Sequence, residues 1–215
     1  MYKLIIFDLD GTLLDTSRTI QSVLNESLKK FSLPQLSIEK TVEYVGNGAK
    51  KLIERAVGTE HKELIEAVYA DYSERFSADD NKFTTLYNGV YDALKKLSNA
   101  GIYFAIITNK PQQATLRVYE KFLSEFNFAE VRGQASDTTL KPNPQSTLEI
   151  MYKYRVKPEE CLFVGDGETD VQTAANAGIK CVSALWGFRT REQLCAAGAA
   201  LFARNFTDLE KIVLQ

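Results

Sequence analysis

The chain has 215 residues, 45% hydrophobic and 25% charged, with 26 basic and 28 acidic side chains and a net charge of -2. This is the composition of an ordinary globular protein. Without a basic excess it is not built to hold a nucleic acid, and no apolar run nears the roughly 20 residues a membrane span needs.

The first apolar run, Leu4–Phe7, is too short for a signal-peptide core and leads straight into Asp8, so a cytoplasmic location is the expectation. Residues 16–82 follow, and they hold no convincing strand. Ile20, Val23, Leu24, Ser27, Leu28 and Phe31 recur at helical spacing, as do Leu64, Ile65, Val68, Tyr69, Tyr72 and Phe76. Pro34 and Gly46-Asn47-Gly48 divide the helices. Beyond this segment, strand-like runs at Ile102–Ile107, Cys161–Val164 and Ile179–Val182 alternate with helical patterns at Val90–Ser98, Pro111–Leu123, Pro144–Tyr154 and Thr169–Ala177. Ala200–Ala203 adds an edge strand and Asp208–Leu214 a closing helix.

Continuous rather than alternating apolar runs suit strands buried on both faces. The fold class is therefore α/β: a Rossmann-like open parallel sheet with helices on both faces, plus an inserted all-helical domain. The core is residues 1–15 and 83–215, and the helical insert is 16–82. Cys161, Cys181 and Cys195 lack metal-type spacing and read as reduced thiols.

In such sheets, ligands bind beyond the carboxyl ends of the strands. Asp8-Leu9-Asp10-Gly11-Thr12 follows the first run, Thr108-Asn109-Lys110 the second, and Gly165-Asp166-Gly167-Glu168-Thr169-Asp170 the third, with Lys141-Pro142 in a loop between them. Singly, each of these is an ordinary turn or loop. Together they place Asp, Thr, Lys and Asp groups at one sheet edge, which no packing rule requires. Asp8, closing a buried strand, suits an in-line nucleophile, and Asp10 a proton donor and acceptor. Clustered carboxylates repel one another unless a cation binds. An all-oxygen set points to Mg²⁺, held by Asp8, Asp166 and a backbone carbonyl near Asp10. Thr108 and Lys141 would hold a phosphoryl group, and Asp170 would orient Lys141 or a metal-bound water.

These motifs, from Phe7-Asp8-Leu9-Asp10-Gly11-Thr12 through Thr108-Asn109 and Lys141-Pro142 to Gly165-Asp166 with Asp170, resemble the four signatures of the haloacid dehalogenase superfamily. The helical insert is similar to that family's cap. The resemblance implies a nucleophilic Asp8, an acid–base Asp10, phosphate contacts from Thr108, Asn109 and Lys141, metal ligands Asp8, Asp10 and Asp166, and a supporting Asp170. Gly167 departs from the Ser or Thr common there, and Glu168 stands beside it.

Asp10 argues against dehalogenases, which lack a second aspartate. A sugar phosphomutase keeps both. A phospho-accepting receiver module shares the carboxylates, Thr and Lys, but has no cap and about half this length. Val45–Ala56 resembles the cap segment of bacterial phosphoglycolate phosphatases, which implies that Asn47, Gly48 and Arg55, with Lys50, bind the substrate's second anion. The expected partner is a small phosphorylated metabolite, and the expected assembly a monomer or homodimer. His61, in a polar stretch, is a surface residue, and Trp186 and Phe188 are core or loop anchors.

Overall fold

The structure is a computed structural model that describes residues 1–135 and 139–215. The chain opens with β1 (Leu4–Phe7) and β2 (Leu14–Asp15). It then runs through α1 (Ser17–Lys30), α2 (Ile38–Tyr44), α3 (Ala49–Val57) and α4 (Ile65–Ala78), with a 3₁₀ turn at Thr59–Leu64, to β3 (Thr85–Leu86). Next come α5 (Val90–Asn99), β4 (Tyr103–Pro111), α6 (Gln112–Phe122), β5 (Phe128–Gln134), α7 (Gln145–Lys153) and β6 (Cys161–Gly165). It ends with α8 (Glu168–Ala177), β7 (Lys180–Ala184), α9 (Arg191–Ala196), β8 (Leu201–Ala203) and α10 (Phe206–Leu214).

Six strands form one parallel sheet in the order β5-β4-β1-β6-β7-β8. β1 lies central because all four of its side chains are apolar and buried. Ile5 and Phe7 join the core built with Val90, Leu94 and Leu209, while Leu4 and Ile6 join that of Ile150, Met151 and Ala174. Alternate residues thus bury against helices on opposite faces, as period-2 geometry requires.

Besides the two-residue strands β2 and β3, the apolar pattern does not show β5 and α9. β5 is an edge strand carrying Glu130 and Arg132, and edge strands tolerate such charge. α9 is six residues started by a Thr190–Gln193 capping box. β4 also continues past Ile107 to Pro111 with an irregular register, so Thr108, Asn109 and Lys110 leave the sheet at a bulged end.

Between β2 and β3 the described chain is helical, and these two strands pair antiparallel, Leu14 with Leu86 and Asp15 with Thr85. The helices have an apolar cluster of their own around Ile20, Leu24, Ile53, Val68 and Tyr72. Asp71 is buried there against Lys30 Nζ at 2.5 Å and Arg75 Nε at 2.6 Å. Among the described residues, no helix is long and apolar enough to cross a membrane.

Candidate active site

Asp8 follows the last residue of β1, and its amide donates to the Val164 carbonyl at 2.9 Å, which fixes the backbone between two strands. Lys141 Nζ lies 2.8 Å from Asp8 Oδ1 and 2.6 Å from Asp170 Oδ1. The contact to Asp8 is an ion pair without hydrogen-bond alignment, so Oδ1 stays buried with no hydrogen bond. Lys141 is set from behind: Asn109 Oδ1 accepts from its amide at 2.8 Å, and Asn109 Nδ2 donates to its carbonyl at 3.1 Å.

Asp166, at the end of β6, accepts from the Thr12 hydroxyl at 2.8 Å and the Phe188 amide at 2.7 Å. Gly11 holds a left-handed φ of 84°, and a Cβ there would stand 2.3 Å from Asp166 Oδ2. The glycine of the Asp-x-Asp-Gly turn thus makes room for a carboxylate 155 positions away in sequence. Asp170 is wholly buried, with Oδ1 on Lys141 and Oδ2 accepting from the Gly167 amide at 2.9 Å. Gly165 admits it, since a Cβ there would fall 2.2 Å from Asp170 Cγ.

Ligand oxygens of Asp8, Asp166 and Asp170 all lie within 4.8 Å of one another. Burial and the Asp170 charge raise Asp8 to about 6, with Lys141 opposing. Burial, Asp8 and Asp170 raise Asp166 to about 8. Burial alone would lower Lys141, but Asp170 and Asp8 outweigh it and hold the ammonium well above its ordinary value. The donor set is all oxygen, its charge is uncompensated, and one buried carboxylate oxygen lacks a hydrogen bond. These are the features a hard divalent cation satisfies.

The Asp10 carboxylate is not in this cluster. It meets Lys110 Nζ at 3.0 and 3.1 Å. Thr108, Asn109, Gly46 and Gly48 line the same cavity as Asp8, Asp10 and Asp166. Asn47 and Arg55 do not line it. Arg55 donates to Asn47 Oδ1 at 2.8 Å and to the Tyr44 carbonyl at 2.7 Å, in an outer groove. Arg55 is in the last turn of α3, about 10 Å along the axis from the helix start that faces the site. Lys50 pairs with Glu66 outside. His61 is exposed, 4.0 Å from Glu63. Trp186 donates to the Thr12 carbonyl at 2.9 Å and packs on Phe206, anchoring a loop as expected.

A family model described as haloacid dehalogenase-like hydrolase matches residues 5–184. The chain belongs to that family. It is 33% identical to phosphoglycolate phosphatase 1 of Pseudomonas aeruginosa, over 96% of this chain and 78% of the relative. It is also 33% identical to phosphoglycolate phosphatase of Vibrio parahaemolyticus, over 98% and 96%. The crystal structure of a predicted phosphoglycolate phosphatase from Haemophilus somnus superposes with a TM-score of 0.85 at 28% identity, covering 98% and 97%. The chain is thus, like these relatives, a hydrolase of phosphoric monoesters.

Two cations of the site escaped the sequence reading. Lys110 looked like the tail of a Thr-Asn motif. Arg189, buried after β7, donates through Nε to Glu168 at 2.9 Å and through its other nitrogens to Val42 O at 2.7 Å and Val45 O at 2.5 Å. Glu168, beside the atypical Gly167, is therefore the carboxylate partner of an arginine that reaches into the helical insert. Neither contact leaves a local sequence signal, because the partners are 21 and about 145 residues apart.

Proposed function

We propose that this hydrolase is a cytoplasmic Mg²⁺-dependent phosphatase of a small phosphate monoester, with phosphoglycolate as the substrate, acting through an aspartyl-phosphate on Asp8. The observation that carries the reading is the cluster of Asp8, Asp166 and Asp170, three carboxylates at the strand ends that the ammonium of Lys141 only partly offsets.

Asp8 Oδ attacks phosphorus in line, forming the O–P bond as the bond to the leaving oxygen breaks. Asp10 gives that oxygen a proton, then takes one from the water that attacks phosphorus and frees Asp8. Thr108 and Lys141 hold phosphoryl oxygens, Asn109 sets Lys141, and Asp170 fixes the ammonium. Asp8, Asp166 and the Asp10 backbone carbonyl are the groups that would hold Mg²⁺, whose charge would offset that of the carboxylates and the phosphate.

A small ester would sit in the cavity that Asp8, Asp10 and Thr108 share with Gly46, Leu52 and Phe76 of the helical segment. The helical segment 16–82 would act as a cap, hinging at the two crossings near Asp15 and Lys82–Leu86 and closing over the substrate to exclude water. Its Gly46–Gly48 turn brings the start of α3 to the cavity, where free amides favour a second anion. The names of the curated relatives support phosphoglycolate as that doubly acidic ester.

Phosphate release with Mg²⁺, screened over phosphoglycolate, hexose phosphates, nucleotides and an aryl phosphate, tests the reading. The expected order places kcat/KM for phosphoglycolate above that for glucose phosphates. Asp8→Asn is expected to lower turnover by at least about 10³-fold while the fold persists. If that substitution left a tenth of the activity, Asp8 would not be the nucleophile. An isomerised hexose phosphate would move the chain to the mutases.

A further inference from the structure

Among the described residues, three cations stand at the carboxylate site, and two of them are fully occupied. Lys141 is fixed between Asp8 and Asp170. Arg189 spends its nitrogens on Glu168 and on carbonyls of the helical segment. Lys110 differs. Its side chain is 2% exposed, both oxygens of Asp10 face it, and the Phe76 ring covers it at 4.6 Å. Asp10 is its one charged partner among the described residues.

Asp10 has two roles that compete. Bound to Lys110 by both oxygens, its carboxylate is held on the ammonium. Serving as the proton donor, it must leave Lys110. The ammonium would then stand unpaired in a cavity walled by Ile20, Leu52, Tyr72 and Phe76, an arrangement of high energy unless another anion arrives.

We propose that Lys110 is the specificity-determining cation of the site: the carboxylate of a short phosphate ester takes the place of Asp10 on the Lys110 ammonium and releases Asp10 toward the leaving oxygen. The proposal rests on the phosphatase reading and deepens it. It names the substrate class, a two- or three-carbon phosphate ester with a carboxylate at the far end. It also names the side chain that reads that carboxylate, which Asn47 and Arg55, in the outer groove, are not placed to do. Specificity here is a link between recognition and the availability of Asp10, so that an ester lacking the second anion binds next to an Asp10 still held aside.

The experiment compares phosphoglycolate with ethyl phosphate, which has the same chain length and no carboxylate, in the wild type, Lys110→Met and Lys110→Arg, all with Mg²⁺. The wild type is expected to prefer phosphoglycolate. Lys110→Met is expected to lose about 30-fold or more in kcat/KM on phosphoglycolate, chiefly through KM, and only a few-fold on ethyl phosphate. Lys110→Arg, which keeps the charge, is expected to retain most of the preference. Should the Met variant fail to fold in a thermal melt, Lys110→Gln carries the same comparison. Equal losses on both esters would mean that Lys110 only holds Asp10, and the proposal would fall. A preference that survives Lys110→Met would place recognition elsewhere. A wild type that hydrolyses both esters without preference would overturn this proposal and the choice of phosphoglycolate while leaving the phosphatase reading intact. Hydrolysis of neither, nor of any hexose phosphate, nucleotide or aryl phosphate in the wider screen, would overturn the phosphatase reading itself.

Discussion

The helical segment and the sheet edge both bury carboxylates, but they balance them in opposite ways. In the helices, Asp71 alone is met by Lys30 and Arg75. Burial pushes its carboxyl up, yet the two cations outweigh burial and bring it down to about 2. At the sheet edge, Asp8 and Asp170 share Lys141 while Asp166 meets no cation among the described residues, which leaves two of the three negative charges unmatched. There burial and mutual repulsion win, and Asp8 and Asp166 rise to about 6 and about 8. The first arrangement is complete and ties α1 to α4. The second is short by the charge of one divalent cation, and that shortfall separates a strut from a receptor.

Removing one carboxylate from each cluster should have opposite effects. Asp166→Asn takes away a repelling charge, so the metal-free protein is expected to melt no lower than wild type, while activity falls at least about 100-fold. Asp71→Asn removes a partner that two cations use, so stability is expected to drop by about 1–3 kcal/mol while kcat stays near wild type. Thermal melts in chelator and steady-state kinetics in Mg²⁺ read both effects. If Asp166→Asn lowered the metal-free melting temperature more than Asp71→Asn, the charge shortfall would not describe the sheet edge.

pH separates the clusters next. Asp8 and Asp166 have folded values above the ordinary carboxylate value of 3.8, so the folded chain binds their protons more tightly than the unfolded chain does. Their contribution to stability is present in acid and is lost as pH rises through about 6 and about 8. Asp71 runs the other way: its contribution is present above 3.8 and is lost as pH falls toward about 2. Mg²⁺ competes with the protons on Asp8 and Asp166. The rise in melting temperature caused by Mg²⁺ is therefore expected to grow between about pH 5 and pH 8, and to shrink in Asp166→Asn. A rise independent of pH would place the cation somewhere else.

The same contrast explains which parts of the molecule were legible in the sequence. Central strands such as Leu4–Phe7 announce themselves because burial on both faces demands unbroken apolar runs. Asp8, Thr108, Lys141 and Asp166 follow or approach such runs, so the sheet itself points to them. Strand β5, only half-buried along most of its length and with charges at Glu130 and Arg132, lacks that signature. Lys110 and Arg189 were hidden for another reason. Their roles lie in pairings across 100 and about 145 residues, and nothing in their own neighbourhood distinguishes a buried cation from a solvated one. Asn47 and Arg55 show the reverse: a local motif read as a binding segment, whose side chains satisfy each other while the backbone of the turn faces the cavity.

Arg189 joins the helical segment to the sheet edge. Its guanidinium is anchored in the sheet domain by Glu168 and donates to Val42 O and Val45 O at the C-terminal end of α2. A cation there also meets the negative end of the helix dipole. Asn109 adds a second tie, Nδ2 to Gly46 O at 3.0 Å. Both hold the helical segment down over the strand ends, and Arg189 touches none of the reacting groups proposed above. Arg189→Met is expected to loosen closure while leaving the carboxylate cluster in place. In small-angle scattering with Mg²⁺ and fluoroaluminate, the wild type should compact and the variant should compact less. The kinetic cost is expected to be about tenfold in kcat/KM, equal for phosphoglycolate and ethyl phosphate, since closure serves every ester alike. That equality separates Arg189 from Lys110, whose loss should discriminate between the two. An unchanged envelope and unchanged kinetics would mean that the helices sit fixed on the sheet edge and that Arg189 only fills the seam.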